Sequence, residues 1–160
     1  MRKKVVVNST PIIALLEIGR LDILRDLYGE IVIPKAVCDE VTVKSARRLD
    51  GCDWIRVMTI SNLAAKEMFT SALHDGEVET MLLAKEIEAD LVIMDDGLAR
   101  RHAKYIGLTV TGTVGVLLRA KSSGVINEVR PVLDSLIQNG FYISDNIYSE
   151  VIRLAGESPL

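Results

Sequence analysis

Two carboxylates close a short apolar run in Leu91-Val92-Ile93-Met94-Asp95-Asp96, where hard oxygen ligands for a divalent cation would be expected. The first apolar run ends in a related way. Lys4-Val5-Val6-Val7 gives way to Asn8-Ser9-Thr10, three small side chains that each carry oxygen. Two further acids, Glu40 and Glu77, lie near the beginnings of predicted helices. In a parallel sheet the carboxyl ends of the strands share one edge, and ligands bind in the crevice there. Residues far apart in the chain would then meet in one acidic pocket.

Taken singly, each acid has an ordinary reading. Asp96 precedes Gly97-Leu98-Ala99-Arg100 and can cap a helix. Glu77 sits in a first helical turn, where the macrodipole favours an acid. Glu40 can be an exposed helical residue, and Asn8 can cap or turn the chain. Asp95 is harder to explain, because only one of two adjacent acids can be the cap. The joint pattern carries more weight. If Glu40, Glu77 and Asp95 converge, each pair about 4 Å apart costs about 4 kcal/mol at an effective dielectric near 20. Such a cluster persists by protonation, through nearby cations or by binding a metal. Carboxylate, amide and water oxygens together suit Mg²⁺ or Mn²⁺, which would activate a water for attack on a phosphodiester. Arg100, Arg101 and Lys104 follow the acid pair, with Arg100 and Lys104 spaced to share a helix face, and could hold a phosphate backbone or simply face solvent. Thr111-Gly112-Thr113 lies between a strand and a helix, where hydroxyls and N–H groups can meet an anion or merely cap.

These residues need a frame that alternates strand and helix. Residues 4–8 read as a buried strand. A helix follows from Pro11, with Ser9 or Thr10 as N-cap, and closes at Gly19. A short helix spans Leu21 to Tyr28, then a strand Ile31 to Ile33, then a helix from Pro34 to about Val43. Residues 44–53 read as loop, and Trp54 to Val57 as an edge strand. Ser61 is expected to cap a helix from Leu63 to Ser71. Asp75 to Glu88 forms a strong helix with a stripe of Val78, Met81, Leu82 and Ile87. Leu91–Met94 is the next strand, Leu98–Ile106 the next helix, Leu108–Val110 a last strand and Val114–Lys121 a helix. Two more helices fill residues 127–156, and residues 157–160 form a frayed tail. This is an α/β pattern: one domain over residues 1–156, a central parallel sheet of about four or five short strands, and helices on both faces.

Size and composition agree with that frame. A chain of 160 residues, 49% hydrophobic and 26% charged, can bury a substantial core. The basic N-terminus precedes only three apolar residues before Asn8, too short for a secretory core, and no run approaches a membrane span. Cys38 and Cys52 form no CxxC pair, so zinc is not expected, and two free thiols suit the cytoplasm. The net charge of −3 excludes a broad basic footprint but not a local basic rim.

Four pieces, in this order, resemble the PIN-domain family. They are Val5-Val6-Val7-Asn8-Ser9-Thr10-Pro11, Ile33-Pro34-Lys35-Ala36-Val37-Cys38-Asp39-Glu40, Asp75-Gly76-Glu77-Val78-Glu79-Thr80-Met81-Leu82-Leu83-Ala84, and Leu91 through Arg100. The likeness covers about residues 4–120 and looks strongest to a prokaryotic branch described as predicted nucleic-acid-binding proteins. It implies a Mg²⁺- or Mn²⁺-dependent ribonuclease acting on single-stranded RNA. It also implies Glu40, Glu77 and Asp95 as catalytic acids and metal ligands, Asp96 as an auxiliary acid, and Ser9 and Thr111 as supporting hydroxyls. Many such proteins are toxins, which makes an antitoxin protein a partner to look for, and homodimers are common among them. The departure is Asn8, which stands where many PIN nucleases carry an acid. Its amide oxygen can ligate a cation but brings no charge and cannot act as a base. The alternative is therefore a weak or inactive module that binds nucleic acid or protein. A phosphoacceptor receiver domain fits poorly, since Asn8-Ser9 and Thr111-Gly112 stand where its acids and lysine belong. No GxGxxG follows the first strand, which disfavours dinucleotide binding.

Overall fold

The computed structural model describes residues 3–45, 49–69 and 73–158. Five short strands form one sheet in the order β3-β2-β1-β4-β5, all paired in parallel. They are β1 (Val5–Val7), β2 (Ile31–Pro34), β3 (Ile55–Met58), β4 (Leu91–Ile93) and β5 (Val110–Thr111). The helices are α1 (Ser9–Glu17), α2 (Asp22–Tyr28), α3 (Lys35–Lys44), α4 (Leu63–Glu67), α5 (Asp75–Glu86), α6 (Gly97–Tyr105), α7 (Thr113–Ser122), α8 (Val129–Gln138) and α9 (Asp145–Leu154). β-Branched side chains dominate the strands, and their period of two sends alternate residues to opposite faces. Val5, Val7, Ile31, Ile33 and Ile93 pack into one core with residues of α1, α2, α3, α7, α8 and α9. Val6, Val32, Val92 and Met94 pack into a second with residues of α5 and α6. Helices therefore cover both faces of a parallel sheet, as the sequence pattern predicts.

Several boundaries differ from expectation. Asn8, not Ser9 or Thr10, is the N-cap position of α1, so Pro11 is its third residue. Asn62, not Ser61, caps α4 by accepting from Ala65 N–H at 3.0 Å, and α4 stops at Glu67; the expected end at Ser71 lies outside the described residues. β5 falls at Val110–Thr111 rather than 108–110, because the tight turn at Gly107, with φ 91°, delays the entry into the sheet. α5 is buried almost all round over Gly76 to Met81, Glu77 and Glu79 included, rather than along a stripe. It is wedged between the sheet and α3, so both of its sides are covered. The tail is tied down at Glu157, whose carboxylate accepts from Val129 and Arg130 N–H.

Candidate functional site

The register of the sheet levels three strand ends. Val7 pairs with Ile93, and Ile93 with Thr111. Asn8 N–H continues the ladder to the Ile93 carbonyl at 2.9 Å, and Met94 N–H to the Thr111 carbonyl at 2.9 Å. Asn8, the Asp95-Asp96 pair and the Gly112-Thr113 turn therefore emerge together. β1 sits at the centre, and the chain leaves β1 and β4 toward opposite flanks of the sheet, which makes the crevice between them a switch point.

Helices α3 and α5 bring two acids over this edge. Glu79 fixes their relation: its carboxylate accepts from Ala36 N–H in the first turn of α3 at 3.1 Å and pairs with Lys66 at 2.8 Å. Gly76 lets the two helices approach. A Cβ at Gly76 would lie 3.1 Å from Glu40 Oε2 and 3.7 Å from Asn8 Oδ1, so those oxygens flank one point. Glu77, the next residue, is buried, and its Oε2 has no hydrogen-bond partner among the described residues. Burial, and then the carboxylates of Asp96 and Glu40, push the Glu77 carboxyl above the ordinary glutamate range, with exposed His74 opposing. Asn8 is buried too. Thr80 Oγ1 lies 3.4 Å from Asn8 Oδ1 but donates at 2.6 Å to the Gly76 carbonyl. A hydroxyl has one proton, so the shorter bond takes it and leaves Asn8 Oδ1 available as a ligand.

The expected trio of Glu40, Glu77 and Asp95 does not close. Among the described residues, no three His, Cys, Asp or Glu side chains stand together as a preformed metal-binding set. Asn8 and Glu40 instead present oxygens at Gly76, and Asp96 and Glu40 both act electrostatically on the neighbouring Glu77. Asp95 is held by the first residue of α7. Its Oδ1 accepts from Thr113 N–H at 2.8 Å and its Oδ2 from Thr113 Oγ1 at 2.6 Å. The anion at the start of α7 is thus the chain's own carboxylate. Asp96 combines both readings, accepting from Ala99 N–H at 2.9 Å as the N-cap of α6 while remaining exposed beside Glu77.

The supporting residues divide similarly. Ser9 is buried in the first turn of α1. Thr111 does not support an acid; its hydroxyl lies against Gly115 in the first turn of α7, where a Cβ would meet it at 2.1 Å. Thr113, fully buried, does the work expected of Thr111. Gly112 is required by space: a Cβ there would come within 2.8 Å of Asp95 Oδ1 and 3.2 Å of an Arg100 guanidinium nitrogen. Arg100 is half-buried at the pocket wall, while Arg101 and Lys104 are exposed on α6. Glu40 accepts from Lys44 at 2.9 Å through Oε1, leaving Oε2 toward Gly76.

Asn8, Glu40, Glu77 and Asp96 offer only hard oxygen, and among the described residues Glu77 Oε2 is buried without a partner, so their chemistry suits a Mg²⁺ or Mn²⁺ ion although their carboxylates do not stand together as a preformed set. No helix among the described residues is long and apolar enough to cross a membrane.

Comparison with known proteins bears on the family and the fold. A family model described as DUF3368, a PIN domain, matches residues 4–157. No curated protein matches the chain. A solved structure of a PilT N-terminus domain protein from the hyperthermophilic archaeon Sulfolobus solfataricus superposes with a TM-score of 0.53 at 19% identity, covering 88% of this chain and 98% of the other. At that identity the likeness speaks to the fold.

Proposed function

This chain belongs to the PIN-domain family, and on that premise we propose that it is a metal-dependent ribonuclease that hydrolyses phosphodiester bonds of single-stranded RNA. One observation carries the reading: among the described residues Glu77 Oε2 is buried without a partner, and the residue before it, Gly76, is where Glu40 and Asn8 present oxygens. A buried polar atom left unpaired costs about 1–3 kcal/mol, more when charged, and a divalent cation is the partner that would relieve it. Asn8 Oδ1, Glu40 Oε2 and Glu77 would hold the ion, with Asp96 as an outer acid. When bound, the metal supplies Lewis acidity toward the phosphodiester and toward a water. Asp95, locked by Thr113, keeps a fixed negative charge at the adjacent strand end. Arg100, Arg101 and Lys104 would hold the flanking phosphates. An antitoxin protein and a second copy of the chain are the partners this reading leads to.

A second reading rests on a specific feature. Asn8 brings no charge, and both Asp95 oxygens are committed to Thr113. A weakly active or inactive module that binds RNA or a protein would tolerate both.

Mn²⁺ titrated calorimetrically into metal-free protein separates the two. Saturable binding that disappears in Glu77→Ala is expected. With Mn²⁺, cleavage of single-stranded RNA should be lost in EDTA and fall in Asp95→Ala by roughly 10–100-fold, the scale of outer-shell changes. Cleavage indifferent to both would sink the nuclease reading. Asn8→Asp should raise activity in a nuclease and leave a binding module silent.

A further inference from the structure

The segment between α8 and α9 stands over the same sheet edge, and the reading above gives it no role. Its geometry is fixed at both ends. At its start Gly140 adopts φ 97°, with Gly140 N–H bonded to the Ile137 carbonyl at 3.1 Å and Phe141 N–H to the Leu136 carbonyl at 3.0 Å, the paired bonds of a Schellman closure. At its end Ser144 caps α9 by accepting from Ile147 N–H at 3.2 Å. Phe141 packs against the main core. Tyr142, between these anchors, is 88% exposed. A rigid backbone thus holds out an aromatic ring whose hydrophobic faces are open to water.

The ring does not face empty surface. Tyr142 and Phe141 line a cavity of about 690 Å³ whose other wall holds Asp95, Asp96 and Arg100. Phe141 and Gly140 also line a smaller hollow of about 260 Å³ that contains Glu40 and Lys44. The segment therefore divides the approach to the acids. Arg100 forms no ion pair with any described residue, although it stands beside Asp95 at Gly112. An aromatic face and an unpaired guanidinium on one open cavity match a base and a phosphate of one nucleotide. An apolar face of a second chain would bury Arg100 and the acids without compensation, which is costly.

We propose that Tyr142 and Arg100 form a nucleotide subsite in which Tyr142 stacks an unpaired base and Arg100 binds the neighbouring phosphate of a single strand. This rests on the nucleic-acid reading above and adds to it the residue that holds a base: stacking on an open ring requires a base that is not paired. Phe141 and the helix closure act as positioning elements and do not touch the base.

The test is fluorescence anisotropy of a labelled oligouridylate with the full chain in EDTA, so that binding is read without cleavage. Tyr142→Ala should weaken binding at least about fivefold, as loss of one stacked base does, and Tyr142→Trp should preserve it. A duplex of equal length should compete poorly. Tyr142 is exposed, so both variants should melt like the wild type, which circular dichroism checks. Equal affinity of wild type and Tyr142→Ala, or no binding of the single strand by wild type, overturns the subsite. So does a change of sedimentation coefficient in Tyr142→Ala, which would assign the ring to contact between copies. The two readings fail separately. Tyr142-dependent binding without Mn²⁺ cleavage keeps the subsite and removes the nuclease, whereas cleavage with Tyr142-independent binding does the reverse.

Discussion

A carboxylate that is buried without a partner is expensive to ionise, so Glu77 couples the stability of the chain to pH. In the unfolded chain it titrates near 4.3 or so; in the fold, burial and then Asp96 and Glu40 raise it. Below the unfolded value both states hold the proton and nothing is lost. As pH rises through that value the unfolded chain releases its proton first, so stability falls until the raised folded value is passed, and the penalty persists above it. Glu77→Gln removes the charge and keeps the shape. Relief of about 1–3 kcal/mol, at about 2–4 °C per kcal/mol for a chain of this size, should raise the melting temperature by several degrees at about pH 7.5. The gain should vanish near pH 4. Thermal scans at the two pH values check it; a gain independent of pH would place its origin outside the charge. Saturating Mn²⁺ should stabilise the wild type and leave the variant unmoved. Asn8 and Glu77 are legible in the sequence because a strand end and a helix start are local patterns, whereas Glu40, inside α3, has no such local mark. Nor is the hydroxyl partner of Asp95 legible. Thr111 and Thr113 are equally plausible by type, and the choice depends on where β5 stops. β5 takes in Thr111, and α7 starts at Thr113 rather than Val114, so Thr111 belongs to the strand and Thr113 holds the first position of the helix.

Helix α8 shows what local pattern cannot reveal about an element. Its N-cap position, Glu128, makes no side-chain cap, and Pro131 in its first turn has no N–H to satisfy. The exposed donors are Val129 and Arg130 N–H, and both are met by Glu157, at 2.6 and 3.0 Å, from beyond the end of α9. Lys121 of α7 joins the same carboxylate at 3.1 Å. Three helices are therefore tied through one residue that the sequence presents as the beginning of a polar tail. A cap supplied from 28 positions downstream leaves no spacing signature near α8. Burial alone would raise the Glu157 carboxyl, but the two N–H donors and the Lys121 ammonium outweigh it and hold it below the usual range. The stability it contributes is thus present above the unfolded glutamate value and lost as pH falls through the lowered folded one. Glu157→Gln should destabilise the chain by about 0.5–2 kcal/mol at neutral pH, the scale of a lost helix cap. Urea unfolding at pH 7 and again near pH 3 measures this, and the difference should shrink at the acid end. The strands were easier to read than the helix caps, since Val5, Val6 and Val7 must alternate between two cores whatever surrounds them. α5 was read too narrowly because α3 covers the side that the period of its apolar residues leaves to solvent.

Across the whole molecule, 22 acidic residues outnumber 19 basic ones, so long-range attraction cannot bring a nucleic acid to this surface. The cations next to the Asp95-Asp96 pair in the chain are those of α6. Arg100, Arg101 and Lys104 project from α6, whose N-terminus is capped by Asp96 at the acidic crevice. The helix thus starts at the acids and carries positive charge away from them. Each phosphate neutralised on a single strand contributes about −0.7 to the slope of log affinity against log salt. Three contacts give a slope near −2, far shallower than a protein with a broad basic face would show. Anisotropy titrations of an oligouridylate over a range of salt concentrations measure that slope. Replacing Arg101 and Lys104 together by alanine should move it toward about −0.7, because only the Arg100 contact would remain. A slope of −5 or steeper in the wild type would require cations elsewhere on the chain and would remove α6 as the phosphate rim. A slope near −2 that survives the double substitution would remove it equally, because about three phosphate contacts would then persist on cations other than Arg101 and Lys104.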